Sequence, residues 1–397
     1  MTTTIDNEQK TLNVPNLRFP EFEGEWEKCK LGDACNVFMC KRILATQTNT
    51  EGGVPFYKIR TIGGTPDAYI SKELFDDYKT KYNYPHKGEV MITCAGTVGK
   101  CVIYDGKDAY YQDSNIVWID NPSQYIGNGF LYHLLANVDW RKLNSTTIIR
   151  IYNDDLRNLK LSYPQIEEQK KISRLLSLLD ERISTQNKII EDLKKLKSAI
   201  IEWHYGQVEK QNVCIGDLGE PFNVGNLAKE DLTETGMPCV IYGELFTTYG
   251  ETISQIESHT NKAEGMILSK KGDLLFPSST TVDAMSLIAP SVINVDGVIL
   301  GGDMFGIHIT PNSNAQYLSY YFNHIAKRQL AKFAKGSTII HLHYADIEKA
   351  KLLLPSLEEQ NRMANCLISL DTKINIESIF ISLLNSQKAY LLRQMFI

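Results

Sequence analysis

The sequence predicts an α+β protein with two pseudo-symmetric α/β domains, separated by two long antiparallel helices that form a coiled-coil rod. Three observations lead to this prediction: a duplication within the chain, short β-like runs in each copy, and a long amphipathic stretch after each copy. The chain has 397 residues, which is more than one hydrophobic core usually supports. At least two domains are therefore expected.

The duplication is clearest in the motif P-x-[IL]-E-E-Q, which follows an extended apolar run twice. The motif stands at residues 164–169 and returns 191 residues later at residues 355–360. Further upstream the offset is 184 residues instead, which indicates a seven-residue insertion in the middle of the second copy. Ordered self-similarity of this kind is typical of a structural unit that is used repeatedly.

Each copy begins with a part that mixes strand and helix patterns. Runs such as residues 115–119 and 305–309 are apolar and are bounded by Gly, Asn, Asp or Pro, as short strands are. One helix per copy is predicted near 127–139 and 314–334, where large apolar residues keep helical spacing. The predicted division is a flexible leader at 1–11, a first domain at 12–163, a central helix at 164–205, a second domain at 206–354 and a C-terminal helix at 355–397.

A heptad pattern of apolar residues follows each P-x-[IL]-E-E-Q motif. No Gly or Pro interrupts the first stretch before Gly206, so each helix should have about 38 residues and a length of roughly 55–60 Å. One apolar stripe of this length needs a partner, and the other helix supplies it in antiparallel orientation. The predicted seam consists of Ile172, Leu175, Leu179, Ile189, Leu193, Leu196, Ile200 and Trp203 in the first helix, and of Leu367, Leu370, Ile374, Ile381 and Leu384 in the second.

The composition limits the class of protein. A net charge of −5 and a hydrophobic fraction of 43% indicate a globular protein that would need a locally basic surface to bind nucleic acid. The eight cysteines include no C-x-x-C pair, which predicts reduced thiols in a cytoplasmic protein with no metal site and no cofactor. No run of eighteen apolar residues occurs, so no membrane contact is expected.

Two similar domains at the ends of a rod suit the recognition of two short features on one extended ligand. Duplex DNA is such a ligand, because half-sites displaced by one helical turn, about 34–36 Å, present the same face. The two domains differ in sequence. The two half-sites should therefore differ, and the target should be asymmetric.

Three parts of the chain resemble one known family. They are the opening segment at 15–26, the strand and loop at 90–99, and the two helices that begin with P-x-[IL]-E-E-Q. With these features the chain resembles the specificity subunits of type I restriction–modification systems over nearly its whole length. The second copy departs from the pattern, with Pro-Ser-Ser-Thr-Thr at 277–281 where Cys-Ala-Gly-Thr-Val-Gly stands at 94–99 in the first.

The resemblance implies a recognition subunit without catalytic residues. Two target-recognition domains would each read one half of a bipartite site in double-stranded DNA. The helices would bind two DNA-adenine methyltransferase subunits, and restriction motor-nuclease subunits would join for cleavage. The predicted partner-binding residues are Glu167, Glu168, Gln169, Glu358, Glu359 and Gln360.

Candidate DNA-binding residues are basic, amide and hydroxyl side chains, because these contact phosphates and base edges. In the first domain they are Lys41, Arg42, Lys58, Arg60, Lys100, Tyr111, Gln112, Asn115, Ser145, Thr146, Thr147 and Arg150. In the second domain they are Asn223, Asn226, Lys229, Tyr242, Ser278, Ser279, Thr280, Lys335, Ser337, Thr338 and His341. The loops at 145–147 and 337–338 are favoured, because both copies have hydroxyl residues there.

Two other functions, and one candidate metal site, are open at this point. Asp67, Asp77 and Lys79 fit a degenerate pattern for a Mg²⁺-dependent nuclease, but the second copy lacks it. His341 and His343 could hold a metal, although the sequence indicates no third ligand. A protein-interaction scaffold, with two protein partners on the duplicated domains, is the other alternative.

Overall fold

The computed structural model describes residues 12–123, 125–142 and 150–397 of the chain. The chain divides into two compact units: unit 1 consists of Met1–Asn187 with Phe380–Ile397, and unit 2 consists of Lys188–Ile379. The predicted leader at 1–11 lies outside the described residues. The predicted domain limits stay predictions.

The described residues of unit 1 form three small sheets. Its strands are β1 Glu27–Lys30, β2 Asn36–Phe38, β3 Val54–Tyr57, β4 Tyr69–Ile70, β5 Val90–Thr93, β6 Cys101–Ile103, β7 Tyr110–Tyr111, β8 Ile116–Asp120 and β9 Lys160–Tyr163; its helices are α1 Leu31–Ala34, α2 Lys72–Lys81, α3 Asn128–Ala136, α4 Asn153–Arg157 and the first part of α5 Ile166–Gln207, with a 3₁₀ turn at Ala45–Gln47. An antiparallel sheet has the order β2-β8-β5-β6, a second sheet has the order β4-β3-β7, and β1 pairs with β9. Strands β3 and β7 are parallel.

Unit 2 repeats this plan with additional strands. Its strands are β10 Gln211–Cys214, β11 Gly219–Asn223, β12 Leu232–Thr233, β13 Met237–Ile241, β14 Thr252–Ile253, β15 Ser258–Thr260, β16 Ile267–Leu268, β17 Asp273–Pro277, β18 Ser279–Thr280, β19 Ser291–Ile293, β20 Ile299–Gly301, β21 Met304–Ile309, β22 Ile340–His341 and β23 Lys351–Leu354. Its helices are α6 Glu244–Thr247, α7 Ala284–Leu287, α8 Ala315–His324, α9 Lys327–Leu330, α10 Tyr344–Ile347 and most of α11 Leu357–Met395, with 3₁₀ turns at Ile215–Asp217, Lys229–Asp231 and Ala331–Phe333.

The strand pairings of unit 2 match those of unit 1. Its sheets have the orders β11-β21-β17-β19-β14 and β12-β15-β13-β20-β16, and the first and last strands, β10 and β23, pair as β1 and β9 do. Strands β13 and β20 are parallel, like β3 and β7. The duplication in the sequence is therefore a duplication of topology.

The central strand of each antiparallel sheet is buried on both faces. In unit 1 Val90 and Ile92 face a core with α3, whereas Met91 faces a second core beside the β4-β3-β7 sheet. In unit 2 Leu274 and Phe276 face the core that contains α8. Because side chains alternate across a strand, one strand serves two cores and appears in the sequence as a continuous apolar run.

The two long helices are present and pair in antiparallel fashion within each unit. In unit 1 Lys388 of α11 bonds Asp180 of α5, and Arg182 lies over the Phe380 ring at 5.0 Å. In unit 2 the corresponding pair, 191 residues away, joins Lys197 to Asp371 at 2.6 Å. Within the described ranges, no helix combines the length and the apolar character that a membrane crossing requires.

The predicted seam of α5 is partly wrong. Ile189, Leu196 and Trp203 are exposed, and Lys197 and His204 are buried in the seam instead. The reason is that apolar residues continue on two faces of this helix, so their spacing alone does not fix the phase. The charged or polar ends of the Lys197 and His204 side chains bond carboxylates of α11.

The two ends of the described chain meet in unit 1. The Leu17 amide donates to the Gln394 carbonyl at 2.8 Å. The Phe396 ring stacks on Phe130 with a centroid separation of 5.0 Å, and Trp26 lies edge-on to Phe396. The end of α11 therefore completes the core of the first copy.

Candidate nucleic-acid interface

One backbone junction occurs in both units, at the end of the central strand of the antiparallel sheet. In unit 1 the Cys94 amide donates to the Asn115 carbonyl at 2.7 Å, and the Ile151 amide donates to the Cys94 carbonyl at 2.8 Å. The loop after β5 is thereby joined to the turn before β8 and to the segment that precedes α4. We call this arrangement the loop junction.

The loop junction of unit 2 has the same hydrogen bonds. The Ser278 amide donates to the Asp303 carbonyl at 2.7 Å, and the Leu342 amide donates to the Ser278 carbonyl at 2.9 Å. The backbone is therefore repeated while the side chains change. Loops that converge on one edge, with different side chains in each copy, are suited to binding two different ligand features.

Three predicted DNA-binding residues meet at the loop junction of unit 1. The Arg150 guanidinium donates to the Ser114 carbonyl at 3.3 Å, and Arg42 Nε donates to the Asp113 carboxylate at 3.0 Å. Asn115 follows in the same turn. Among the described residues, Ser114 is the only non-glycine residue with a positive φ, 55°. This turn is held in a left-handed conformation that L-residues rarely adopt.

The segment with Lys58 and Arg60 lies beside the same turn. The Ile59 amide donates to the Gln112 side-chain carbonyl at 3.4 Å. Lys58 and Arg60 each bond the Asp67 carboxylate at 3.1 Å. The hydrogen bonds from Lys58 and Arg60 lower the pKa of Asp67. Lys58 and Arg60, both predicted to bind DNA, are therefore held close together by the carboxylate that they share.

Other predicted residues of unit 1 have contacts within their own domain. Lys100 Nζ donates to the Ile62 carbonyl at 2.5 Å, and Lys41 Nζ lies 5.3 Å from the centre of the Tyr82 ring. Tyr111 is buried in β7, where burial raises the pKa of its phenol. A DNA contact by the Tyr111 ring does not fit this position. The prediction missed its burial because a two-residue strand has no alternating pattern.

The favoured hydroxyl loop of the first copy cannot be compared with the structure. Ser145, Thr146 and Thr147 lie outside the described residues, which resume at Arg150. Their role stays a prediction.

In unit 2 a small antiparallel ladder forms the loop junction's outer edge. Ser279 pairs with His341, and Thr280 pairs with Ile340. Ser278 and Ser279 are buried, so the backbone of this segment is structural, whereas Thr280 is partly exposed.

The favoured hydroxyl loop of the second copy is an exposed hairpin. Lys335 and His341 exchange backbone hydrogen bonds of 2.9 and 2.7 Å, and Ser337 and Thr338 lie between them on the surface. Gly336 has a φ of +119°, and a Cβ there would lie 2.0 Å from a backbone oxygen. The tight turn therefore requires glycine.

The remaining candidates of unit 2 are exposed and differ in their distance along the chain from the loop junction. The Tyr242 amide donates to the Gly301 carbonyl at 3.2 Å, close to the turn before β21. Asn223 ends β11, and Asn226 follows in the next loop. Lys229 begins a separate 3₁₀ turn, and no described contact ties it to the junction.

The residues of the alternative nuclease pattern do not form one site. Asp67 is bonded to Lys58 and Arg60, Asp77 to Lys81 at 2.5 Å, and Lys79 to Asp108 at 3.2 Å. The imidazole rings of His341 and His343 are stacked, with 6.1 Å between the ring centroids. Within the described ranges, no group of three or more His, Cys, Asp or Glu residues could hold a metal ion.

Two of the predicted partner-binding residues anchor the start of α5 instead. The Gln169 side chain accepts from the Gly127 amide and donates to the carbonyls of Pro164 and Tyr125, all at 2.8 Å. Glu168 is fully buried and accepts two hydrogen bonds from Arg18, of 2.8 and 2.7 Å. Of the three predicted residues in this motif, Glu167 is the exposed one.

The second motif is built in the same way. Gln360 accepts from the Asn314 amide at 2.9 Å and donates to the Pro355 carbonyl at 2.9 Å. Glu359 accepts from His204 at 3.0 Å, and this bond lowers the pKa of Glu359. Glu358 is exposed. The repeated glutamine thus fastens each long helix to the domain before it, which the sequence did not reveal.

Sequence reasoning also missed several residues near the junctions. Ser114 was not singled out, although the Asp-Ser-Asn triplet at 113–115 is typical of turns. Val282 and Ile339 are exposed apolar residues in loops of unit 2, and Phe246 is exposed in the four-residue helix α6. Lys327, which begins α9, lines the same cavity as these three residues. A loop has no periodicity, so nothing in the sequence separates these side chains from core residues.

Comparison with known proteins identifies the duplicated unit. A family model described as the type I restriction modification DNA specificity domain matches residues 23–195 and again residues 207–383. The chain is 49% identical over 185 residues to a putative type I restriction enzyme specificity subunit of Haemophilus influenzae, an alignment that covers 47% of this chain and 45% of that relative. It is 23% identical over 399 residues to the putative MjaX specificity subunit of Methanocaldococcus jannaschii, with 93% and 92% of the two chains covered.

Two solved structures share the fold. The S subunit of a type I restriction–modification system from M. genitalium superposes with a TM-score of 0.63 at 16% identity, over 97% of this chain and 99% of that chain. A chain from a study of complex assembly and conformational transition of the type I R-M system superposes with a TM-score of 0.53 at 16% identity, over 94% and 97% of the chains.

Proposed function

Because the chain belongs to the type I restriction modification DNA specificity family, we propose that it is the DNA-specificity subunit of a type I restriction–modification complex. The recognition domain in each unit reads one half of a bipartite, asymmetric site in double-stranded DNA. The chain supplies recognition, and the chemistry belongs to other subunits.

The observation that carries this proposal is the repeated loop junction with unequal side chains. Positions that correspond in the two copies hold Gly96 and Thr280, or Arg150 and His341. Arginine bonds guanine bidentately, whereas histidine and hydroxyl side chains present other donors and acceptors. Equal backbones with different side chains favour two half-sites of different sequence.

The proposed DNA contacts are the residues gathered at the two junctions. In unit 1 they are Arg42, Gln112, Asn115 and Arg150, with Lys58 and Arg60 nearby for phosphates. In unit 2 they are Tyr242, Thr280, Lys335, Ser337, Thr338 and His341.

The long helices are the proposed docking surface for methyltransferase subunits. In unit 2 Ile189, Leu196 and Trp203 are exposed at heptad spacing on α5, and Ile376 and Ile379 are exposed on α11. Rows of apolar side chains on a helix surface mark a place where another protein packs. Two DNA-adenine methyltransferase subunits, and restriction motor-nuclease subunits beyond them, are the proposed partners.

Mapping of methylated adenines in cells tests the proposal. Cells that contain the methyltransferase subunit should methylate a two-part sequence when this chain is present and should not methylate it when the chain is absent. An Arg150→Ala variant should relax the sequence requirement in one half of the site, and Arg141→Ala, an exposed residue of the same unit, should not. An identical methylation pattern with and without the chain would refute the proposed function.

A further inference from the structure

Unit 2 contains an open cavity of about 810 Å³ directly beside its loop junction. It is lined by Tyr242 and by Phe246 of α6, and by Thr280 of β18 and Val282 of the loop that follows β18. Ile339, which directly precedes β22, also lines the cavity. The lining thus combines predicted DNA-binding residues, Tyr242 and Thr280, with residues that were not predicted from the sequence, Phe246, Val282 and Ile339.

The rim of the cavity carries an unusual number of exposed apolar side chains. Val282 is 73% exposed and Ile339 is 49% exposed, while Tyr242 and Phe246 are each exposed by more than a third. Apolar side chains gathered at this level of exposure indicate a surface that is covered when a ligand binds.

The polar groups of the cavity are mostly hydroxyls. Ser279, Thr280 and Thr281 line the β18 side. Hydroxyl groups both donate and accept hydrogen bonds, so they suit the mixed donors and acceptors of a base edge or a phosphate.

The charge of the cavity is set by Lys327. The other charged residue in its lining, Glu251, bonds Lys197 at 3.1 Å and His324 at 2.9 Å. Burial opposes ionisation of Glu251, but the His324 hydrogen bond and the Lys197 charge lower its pKa to about 2. Within the described residues no ion pair to Lys327 is found. Among the described residues that line the cavity, Lys327 is therefore the one cation without a paired carboxylate.

Unit 1 does not offer the same surface. Val98 corresponds to Val282 at the 184-residue offset, but Val98 packs against the core of unit 1. The loop of unit 1 also approaches Trp140 closely at Gly99, where a Cβ would lie 2.2 Å from the indole. The apolar rim is thus a property of the second recognition domain.

We infer that this cavity receives the C5-methyl edge of a thymine in the second half-site, with Val282, Phe246 and Ile339 around the methyl group and Lys327 on an adjacent phosphate. This inference rests on the proposed function. The thymine methyl is the apolar group that base edges display in the major groove, and hydroxyls beside it can bond either member of the pair. A cavity that combines an apolar rim, hydroxyls and a single cation matches those groups.

Deoxyuridine substitution tests the inference, because it removes only the methyl group. The complex of this chain with its methyltransferase is titrated with duplexes that carry the mapped site, in which each thymine of the second half-site is replaced in turn. One replacement should weaken binding about three- to fivefold, as expected for one buried methyl group. Val282→Ser should weaken binding to the thymine duplex by a similar factor and should no longer distinguish it from the deoxyuridine duplex.

Two control variants separate base reading from general effects. Leu268→Ser changes an exposed apolar residue of the same unit that does not line the cavity, and it should keep the wild-type preference for thymine. Lys327→Gln should reduce the salt dependence of binding by about one phosphate contact and leave the thymine preference unchanged.

The outcomes distinguish the inference from the proposed function. If the complex binds its site specifically but no thymine of the second half-site is sensitive, the inference is wrong and the function stands. An equal loss by Val282→Ser on both duplexes would also overturn the inference. If the complex shows no sequence preference at all, the proposed function itself fails.

Discussion

Gln169 and Gln360 are single residues that join each long helix to the domain before it. Each side chain bonds backbone groups on both sides of the helix start, and both are buried. A buried glutamine with paired polar atoms fixes the direction of the helix, because any tilt would leave those atoms without partners. The P-x-[IL]-E-E-Q motif is recognisable twice in the sequence. Which of its residues are buried and which are exposed could not be predicted from the sequence alone.

Replacing Gln169 by Ala should lower the free energy of unfolding by about 1–3 kcal/mol, because three backbone groups lose a buried partner. Urea denaturation of the isolated chain measures the change. Glu167→Ala, in the exposed position of the same motif, is the matched control and should change stability by less than about 0.5 kcal/mol. Equal effects of the two substitutions would show that the glutamine is not an anchor.

His133 introduces a pH dependence into unit 1. Burial lowers the pKa of its imidazole from 6.5 to about 4. The unfolded chain therefore binds a proton before the folded chain does, and stability should fall as the pH decreases from about 6.5 towards 4.

Unfolding measured between pH 7 and pH 4 tests this expectation. In His133→Gln the fall in stability over that interval should be smaller than in the wild-type chain. His86→Gln, which changes an exposed histidine of the same unit, should reduce the slope less than His133→Gln does. A His133→Gln curve parallel to the wild-type curve would contradict a buried, neutral imidazole.

At the scale of the elements, the seam between α5 and α11 contains ion pairs that repeat with the duplication. Lys197 contacts two carboxylates, Asp371 and Glu251, and its side chain is 7% exposed. Lys388, its counterpart, contacts Asp180 and is less buried. Buried ions of this kind specify which residues face each other more than they add stability.

Lys197→Ala should destabilise the chain by about 3–5 kcal/mol, because two carboxylates lose their shared cation. Lys195→Ala removes a surface pair with Glu191 and should cost less than about 1 kcal/mol. Denaturant unfolding of both variants gives the comparison. A Lys197→Ala variant as stable as Lys195→Ala would mean that the seam does not depend on this pair.

The exposed row on α5 leads to a separate expectation about assembly. Leu196→Glu should weaken co-purification with the methyltransferase subunit at least tenfold while leaving the stability of the free chain unchanged, since this side chain is largely exposed. Lys194→Glu changes the charge on another exposed position of the same helix and serves as the control. Full assembly of the Leu196→Glu variant would exclude this row as the docking surface.

The long helices also show what could and could not be predicted from the sequence pattern. The two motifs and the absence of helix breakers correctly predicted two long helices that pair in antiparallel fashion. The face of α5 was assigned wrongly at Ile189, Leu196 and Trp203. The spacing of apolar residues along a helix predicts that they lie on one face. It does not tell whether that face packs against the other helix or is exposed on the surface of the chain.

At the scale of the whole molecule, the duplication accounts for most of what could be predicted. It identified two α/β parts of equal topology, and it argued against sites that occur in only one copy, such as the pattern of Asp67, Asp77 and Lys79. The loop junctions could not be foreseen, because Cys94 and Asn115 meet through backbone hydrogen bonds that place no demand on residue type. The cavity of unit 2 could not be foreseen either, because most of its apolar rim stands on loops and one-turn elements that have no periodic pattern in the sequence.

The central claim is that each recognition domain reads its own half of one DNA site. The most direct test replaces residues 12–163 with the corresponding segment of a related chain and maps methylated adenines in cells that express the hybrid. The account predicts that one half of the two-part sequence changes while the other half is retained. A change in both halves, or in neither, would contradict it.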